Sequence, residues 1–226
     1  VSKHHPGSVI TVGIEPTHAF NDRSGMSSST RKKAIELWGS HLPDGDREKH
    51  ARTLFACENP PGTVEVSGSQ DSIGIVFPGL NRLHYAGGYW PTRIESRQDE
   101  ELLCFIEDHL RLVPLGPRAD GYEVLEGTRI DATGAKALAD AADDCWSAIM
   151  AKDAHAFGDA FRRSFEAQVV MFPNMMGEGI RETIARHTTD ALGWKLSGAG
   201  GGGYLILVRK GPLQDLLRVT IRRSGW

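Results

Sequence analysis

Apolar residues recur along the chain with the spacing of helices in some stretches and of strands in others. Spacings of three and four residues predict helices over 31–38, 46–57, 138–149, 157–169 and 178–192. Gly193 directly follows the last of these helices and is predicted to end it as a C′ residue. Short apolar runs bounded by turn residues predict strands at 8–14, 110–115, 204–208 and 218–222, and a hairpin of 73–77 with 80–85. Because both types of element occur in both halves, the pattern predicts an α+β architecture in two layers, with a domain boundary near residue 92.

Composition and charge exclude some classes of protein. Hydrophobic residues make up 40% of the 226 residues and the net charge is −3, which is typical of a globular protein and argues against a nucleic-acid partner. No apolar run reaches the length of a membrane span, so we expect no membrane partner. Cys57, Cys104 and Cys145 stand far apart, which favours buried, reduced thiols over disulfides or a zinc site. We therefore expect a cytoplasmic protein. The composition is compatible with a homo-oligomer as well as with a monomer.

A glycine-rich run at 198–203 has five glycines in six positions and leads into the strand predicted at 204–208. Such a backbone gives up side-chain packing, so we expect that its bare amides or its close approach are needed. Successive N–H groups in loops of this kind bind anions or press against a loop that does. A flexible linker is the alternative, but linkers have polar, low-complexity flanks, whereas helix-like and strand-like segments flank this run.

A second candidate loop precedes the helix predicted over 31–38. It contains Gly25 and the three serines Ser27, Ser28 and Ser29, and it follows the strand predicted near the start of the chain. A strand, a loop of glycine and serine and a helix start in this order present amides and hydroxyls to a phosphate. Simple N-capping by serine explains the same residues, and the local sequence favours neither reading.

Two carboxylates lie next to predicted elements. Glu58 follows the helix at 46–57, where an acid opposes the helix dipole, so Glu58 either faces solvent or meets a cation. Asp71 lies in a loop just before the apolar run at 73–77, and it either caps a turn or acts on a substrate. The presence of Glu58 upstream and an apolar run downstream favours the second role for Asp71.

Three stretches together resemble the GHMP kinases, a family named for galactokinase, homoserine kinase, mevalonate kinase and phosphomevalonate kinase. Residues 195–203 resemble the third motif of the family, in which a lysine, any residue and a serine or threonine precede Gly-Ala-Gly-Gly-Gly-Gly. Residues 25–30 resemble its second, phosphate-binding motif, although residues 21–23 replace the small residues usual there. Glu58 with residues 67–71 is similar to an arrangement in the heptose-phosphate and fucose kinases.

The resemblance implies a fold and an activity. The implied fold is α+β and GHMP kinase-like with two domains: a partial ribosomal-S5-domain-2-like part at 1–92 and a ferredoxin-like two-layer sandwich at 93–226. The implied cofactors are ATP and Mg²⁺, and the implied acceptor is a sugar or sugar phosphate. Nothing at 1–20 resembles the first motif of the family, so we expect a chain that begins inside the first domain.

The same resemblance assigns a role to each candidate residue. Asp71 would be the general base or orienting acceptor for the sugar hydroxyl, and Ser29 and Glu58 would be Mg²⁺ ligands. The residues assigned to the nucleotide phosphates are Gly25, Ser27, Ser28, Ser29, Gly198, Gly200 and Gly201. The serine loop would be the direct cradle, and the glycine run would pack beside it.

Two hypotheses of function follow. The first is an ATP-dependent kinase that phosphorylates a sugar hydroxyl, at the anomeric position of a heptose phosphate, fucose or a related sugar. The second is a non-catalytic or truncated nucleotide-binding module derived from such a kinase, which the missing first motif and the altered residues 21–23 favour. ATP turnover in the presence of a sugar separates them, because a binding module would hold the nucleotide without consuming it.

Overall fold

Helices and strands alternate through the chain in a computed structural model that describes residues 5–15, 26–116, 122–123, 126–211 and 216–224. The strands are β1 (Pro6–Val12), β2 (Leu80–Ala86), β3 (Arg93–Arg97), β4 (Leu110–Gly116), β5 (Ala191–Leu196), β6 (Gly203–Arg209) and β7 (Leu217–Arg218). The helices are α1 (Ser28–Trp38), α2 (Arg47–Glu58), α3 (Gln70–Val76), α4 (Glu100–His109), α5 (Ala132–Met150), α6 (Ala154–Met171) and α7 (Glu178–His187). This arrangement confirms the predicted α+β class.

The first sheet is antiparallel and has the order β1-β2-β3. Val9 lies opposite Leu83, and Leu83 lies opposite Ile94, so β3 joins this sheet although it follows the predicted boundary. The helices α1, α2 and α3 pack on the sheet, and their fully buried side chains include Leu54 and Ile73. Burial of apolar surface contributes about 25 cal/mol per Å² and holds these three helices against the first sheet. The candidate site is built on the same helices.

The second sheet is antiparallel and has the order β5-β6-β4-β7. One face packs on α5 and α6, where Trp146 and Phe157 share a core cluster with Val208. The opposite face carries Leu207, which packs with Ile184 of α7. Successive residues of β6 therefore enter different core clusters, as the period of a strand requires.

Backbone hydrogen bonds join the two sheets behind α3. The Gly13 amide donates to the Gly79 carbonyl at 2.9 Å, the Gly79 amide to the Arg222 carbonyl at 2.9 Å, and the Arg222 amide to the Gly13 carbonyl at 2.7 Å. The Arg222 side chain also donates to the Gly74 carbonyl of α3 at 2.9 Å. The last part of the chain thus fixes the helix on which Asp71 lies.

The hairpin predicted for 73–77 and 80–85 is wrong in its first strand. Residues 73–76 belong to α3, which starts after Ser69 and buries Ile73, Ile75 and Val76. A short apolar run fits a buried strand and a buried helical turn equally well, and here packing against α2 decided in favour of the helix.

The helix predicted over 178–192 ends earlier, at His187, and Gly193 lies in β5 instead of at a C′ position. A Cβ built on Gly193 would lie 1.9 Å from the Gly158 carbonyl oxygen of α6. The glycine is therefore required by the close approach of strand and helix and not by helix termination. The strand predicted at 218–222 is also shorter, because β7 is Leu217–Arg218.

The remaining predicted elements correspond to helices α1, α2, α5 and α6 and to strands β1, β2, β4 and β6. The three cysteines are free thiols, but the expectation that all are buried is wrong, because Cys104 is exposed and Cys57 is partly exposed. In the described part of the chain, every helix is too short or too polar to cross a membrane.

Candidate functional site

The serine loop ends at the start of α1. Ser27 precedes the helix with φ 56° and ψ 31°, a left-handed conformation that is unfavourable for a residue with a side chain. Its hydroxyl does not cap α1, and its carbonyl accepts from the Arg31 amide at 2.9 Å. The first-turn N–H groups at Ser28 and Ser29 therefore lie at an uncapped, electropositive helix end, which suits a phosphate. Gly25 lies outside the described residues.

Ser27 instead directs its side chain to Asp71. The Ser27 hydroxyl donates to Asp71 Oδ1 at 2.9 Å, across 44 residues of sequence. Asp71 lies in the first turn of α3, so the two helix starts face each other. Burial raises the pKa of Asp71, the hydrogen bond from Ser27 lowers it, and the charge of Glu58 raises it, with the net shift upward. The structure thus brings the predicted base to the predicted phosphate loop.

Glu58, the last residue of α2, accepts two hydroxyl hydrogen bonds. Thr30 Oγ1 donates to Glu58 Oε1 at 2.5 Å, and Ser72 Oγ donates to Glu58 Oε2 at 2.8 Å. The hydroxyl of α1 that bonds to Glu58 is therefore that of buried Thr30, whereas Ser29 is exposed at the helix start. The structure places Glu58 at the site, and the assignment of Ser29 and Glu58 as metal ligands stays a prediction.

Sequence reasoning missed Thr30 and Ser72, yet their spacing carried a signal. Thr30 lies in the first turn of α1, three residues after Ser27, so both hydroxyls lie at the start of that helix. Ser72 adjoins Asp71 at the start of α3. The start of α1 thus donates one hydroxyl to each carboxylate, from Ser27 to Asp71 and from Thr30 to Glu58, and Ser72 adds a second donor to Glu58.

A buried serine and tyrosine support the start of α3. Ser69 precedes the helix, is fully buried, and donates to the Tyr89 carbonyl at 2.6 Å. Its oxygen also lies 2.8 Å from the hydroxyl of Tyr85 on β2. Burial raises the pKa of Tyr85, so the phenol stays protonated, and its hydrogen bond with Ser69 ties the start of α3 to the first sheet.

The glycine run has a close-packed, left-handed backbone, which accounts for its composition. Gly198, Gly200 and Gly201 have φ values of 61°, 75° and 69°. A Cβ on Gly201 would lie 2.4 Å from the Tyr122 ring, and one on Gly200 would lie 2.8 Å from Met175 Cβ. These neighbours belong to the second half of the chain, and the predicted contact of Gly198, Gly200 and Gly201 with nucleotide phosphates stays a prediction.

Lys195, at the head of the third motif, points into the interior. Its amine donates to Ser164 Oγ of α6 at 2.8 Å. Burial lowers the pKa of Lys195 to about 8, and the Cys145 thiol opposes this shift. Burial raises the pKa of Cys145 to about 12. Lys195 thus connects β5 to α6.

The donor set at the α1 end fits Mg²⁺ and a nucleotide phosphate. Glu58 is close enough to Asp71 for its charge to raise the pKa of Asp71, and a divalent cation would relieve that repulsion. A carboxylate has about four lone-pair sites, so Glu58 keeps acceptor capacity beyond its two hydrogen bonds. Mg²⁺ in phosphate sites takes one or two carboxylates and fills the rest of its shell with phosphate and water.

The fold is that of GHMP-family kinases. A protein from Campylobacter jejuni assigned as a sugar kinase is 17% identical, with a TM-score of 0.60 over 91% of this chain and 63% of its own. Galactokinase from Lactococcus lactis, complexed with galactose, is 16% identical with a TM-score of 0.58 over 84% of this chain and 59% of its own. A D-glycero-D-manno-heptose 1-phosphate kinase from Bacteroides thetaiotaomicron is 14% identical with a TM-score of 0.57 over 89% of this chain and 63% of its own.

These comparisons show the fold and confirm the expected GHMP kinase-like architecture. Mevalonate kinases share the fold as well. No protein-family model and no curated protein matches the chain. The chain spans 59–63% of the length of the three kinases above.

Proposed function

We propose that this chain is the catalytic part of an ATP-dependent kinase that transfers the γ-phosphate of ATP to a hydroxyl group of a sugar. The observation that carries the proposal is the hydrogen bond of 2.9 Å from Ser27 to Asp71. It places a carboxylate able to orient an acceptor hydroxyl at the helix start that best suits the nucleotide phosphates.

The start of α1 binds the phosphates in this proposal. Phosphoryl transfer depends mainly on positioning and on electrostatic stabilisation of the transferring group. The amides of Ser28 and Ser29, together with the helix dipole, supply donors that are already oriented before ATP binds. Because Ser27 uses its hydroxyl on Asp71 and not on these amides, they stay available for phosphate oxygens.

Asp71 acts on the acceptor. The acceptor oxygen attacks the γ-phosphorus, the bond from that phosphorus to the bridging oxygen of ADP breaks, and the proton of the acceptor hydroxyl passes to Asp71. Burial raises the pKa of Asp71, which makes its carboxylate a better proton acceptor. The hydrogen bond from Ser27 lowers the pKa of Asp71 and so favours the ionised carboxylate before the reaction.

Glu58 and Ser29 are the proposed ligands of Mg²⁺. When bound, Mg²⁺ neutralises charge on the β- and γ-phosphates. Thr30 and Ser72 orient the Glu58 carboxylate through the hydrogen bonds of 2.5 and 2.8 Å, so its remaining lone pairs have a fixed direction. Ser29 is exposed at the same helix end, which leaves its hydroxyl accessible to a cation held by Glu58.

The proposed acceptor is the anomeric hydroxyl of a heptose phosphate, fucose or a related sugar. The support is the sequence of Gln70 and Asp71 after Glu58, which is similar to the heptose-phosphate and fucose kinases. Structures with this fold include a heptose 1-phosphate kinase and a galactokinase, but also mevalonate kinases. The fold alone therefore does not select a sugar, and the proposal of a sugar acceptor rests on the residues around Asp71.

Phosphorus NMR tests the activity and the position of transfer in one experiment. The 226-residue chain is incubated with ATP, Mg²⁺ and each of galactose, fucose, a heptose phosphate and mevalonate. We expect ADP and an anomeric sugar phosphate, whose phosphorus couples to the anomeric proton. A product only with mevalonate would overturn the sugar assignment.

A non-catalytic nucleotide-binding module is the second candidate. It is favoured by the hydrogen bonds that already occupy Asp71 and both oxygens of Glu58. Calorimetry with ATP and Mg²⁺ discriminates: saturable binding with no ADP formed over any acceptor would support the module, whereas turnover excludes it. Absence of both binding and turnover would contradict both candidates.

A further inference from the structure

Three arginines share one face at one end of the second sheet. Arg111 of β4 lies directly opposite Arg218 of β7 and opposite Leu207 of β6. Arg209 lies two residues beyond Leu207 on β6. Cross-strand partners and residues two apart point to the same side of a sheet, so Arg111, Arg209 and Arg218 form a common surface, here termed the arginine face.

Two members of the arginine face are buried with donors unsatisfied. Arg111 is 0% exposed and Arg209 is 4% exposed. Arg111 Nη1 donates to the carbonyls of Glu107, in the last turn of α4, and of Leu110, at 2.8 and 2.7 Å. Nε of Arg111 and both Nε and Nη1 of Arg209 are buried without a hydrogen-bond partner among the residues that the structure describes. Buried guanidinium donors of this kind normally meet an ordered water or an ion.

Positive charge exceeds negative charge on this face. Arg218 Nη2 lies 3.1 Å from Asp108 Oδ1, and Arg209 Nη2 lies 3.8 Å from Asp190 Oδ2, with both carboxylates largely exposed to solvent. Burial lowers the pKa of Arg111, and the charges of Arg218 and Arg209 lower it further, against a smaller opposing effect of Asp108. Like charges directly opposite on neighbouring strands destabilise a sheet, so the arrangement has a cost that a bound anion would offset.

The end of α7 adds an imidazole beside the arginine face. Burial lowers the pKa of His187, and the charges of Arg209 and Arg186 lower it further, while Asp190 opposes them. His187 therefore lies within the electric field of Arg209. Its titration reports any change of charge at this surface.

We propose that the arginine face binds a small phosphate-bearing anion, with Arg111 and Arg209 as the floor of the site and Arg218 at its exposed rim. Guanidinium groups match phosphate oxygens in geometry and keep their charge when buried. The site is separate from the proposed kinase site, because it is built on β4, β6 and β7, whereas Ser27, Glu58 and Asp71 lie on or next to α1, α2 and α3.

Proton NMR of His187 tests the proposal with inorganic phosphate as the probe. The imidazole signal is assigned by its loss in His187→Gln, and phosphate is titrated at constant ionic strength with acetate as the comparison anion. We expect a saturable shift and a higher pKa of His187, because a bound anion counteracts the field of Arg209. Arg218→Met, at an exposed position, should weaken the apparent affinity at least about tenfold.

A matched control is Arg93→Met on β3, which should leave the phosphate affinity unchanged. Arg209→Met is the second test, because its side chain lies in the floor of the site, and folding of the variant is checked by circular dichroism. A linear shift, an equal response to acetate, or an unchanged affinity in Arg218→Met would overturn the proposal. None of these results bears on ATP turnover, which tests the kinase site separately.

Discussion

Ser27 holds a strained backbone conformation while its hydroxyl binds the proposed base, and two substitutions separate these effects. Ser27→Ala removes the hydrogen bond to Asp71 and keeps a side chain at φ 56°. Ser27→Gly removes the same hydrogen bond but also removes the clash of the left-handed conformation. Because Ser27 makes no capping bond to α1, loss of capping does not enter the comparison.

The difference between the two variants has a definite size. A left-handed residue with a Cβ costs about 1–2 kcal/mol, and glycine loses about 0.5–1 kcal/mol through the entropy of the unfolded chain. The glycine variant should therefore be the more stable of the two by about 1 kcal/mol, or about 2–4 °C in Tm for a chain of this length. Both variants lose a hydrogen bond to a carboxylate, which contributes about 1.5–3 kcal/mol.

Thermal unfolding and the pH dependence of kcat/KM measure the two effects. The hydrogen bond from Ser27 lowers the pKa of Asp71, so its loss should move the acidic limb of the profile to higher pH, equally in both variants. Equal Tm values for the alanine and glycine variants would refute the argument from strain. An acidic limb that stays in place would refute the argument that the hydrogen bond from Ser27 lowers the pKa of Asp71.

Three further tests probe the site, the glycine run and the buried Lys195. Thr30→Val removes a hydrogen-bond donor from the Glu58 carboxylate and should lower the free energy of unfolding by about 1–3 kcal/mol. Ser29→Ala changes an exposed side chain, so it should lower Mg²⁺-dependent turnover with little effect on unfolding by urea. Gly201→Ala places a Cβ 2.4 Å from an aromatic ring at φ 69°, whereas the Cβ of Gly62→Ala, at φ 95°, meets no atom within 4 Å. The first substitution should therefore lower the Tm more than the second. Burial lowers the pKa of Lys195 from its ordinary value of 10.5 to about 8, so between these two pH values the folded state binds fewer protons than the unfolded state. The free energy of unfolding should therefore rise with pH across that window, and Lys195→Met should remove this rise.

The pattern of apolar residues predicted the elements that have one strong period. Regular spacing of apolar residues marks the helices over 138–149 and 157–169 and the strand at 204–208, and tertiary packing preserved all three. The run at 73–77 has too few residues to show a period, so only the contacts with α2 and the first sheet decided that it is helical. Gly193 was misread for a similar reason, because its role depends on the backbone of Gly158, which lies on another element.

The sequence likewise identified some residues of the candidate site and not others. Glu58 and Asp71 could be singled out from their positions at element ends and from the resemblance to known kinases. Their hydrogen-bond partners could not, because the links from Ser27 to Asp71 and from Thr30 to Glu58 cross 44 and 28 residues. The left-handed conformation of Ser27 is likewise a result of tertiary packing, since serine has no intrinsic preference for it.

Turnover of Asp71→Asn tests the central claim most directly. Sugar-dependent ADP formation should fall about 10²–10⁴-fold, the usual contribution of a positioned acid or base, while ATP affinity stays the same. Because burial raises the pKa of Asp71, the folded state loses stability as pH rises through that pKa, so the asparagine variant should also be the more stable protein at pH 7. Asp140→Asn, on the exposed side of α5, is the matched control and should change neither property. Turnover in Asp71→Asn equal to that of the unchanged chain would contradict the assignment of Asp71 as the residue that acts on the acceptor.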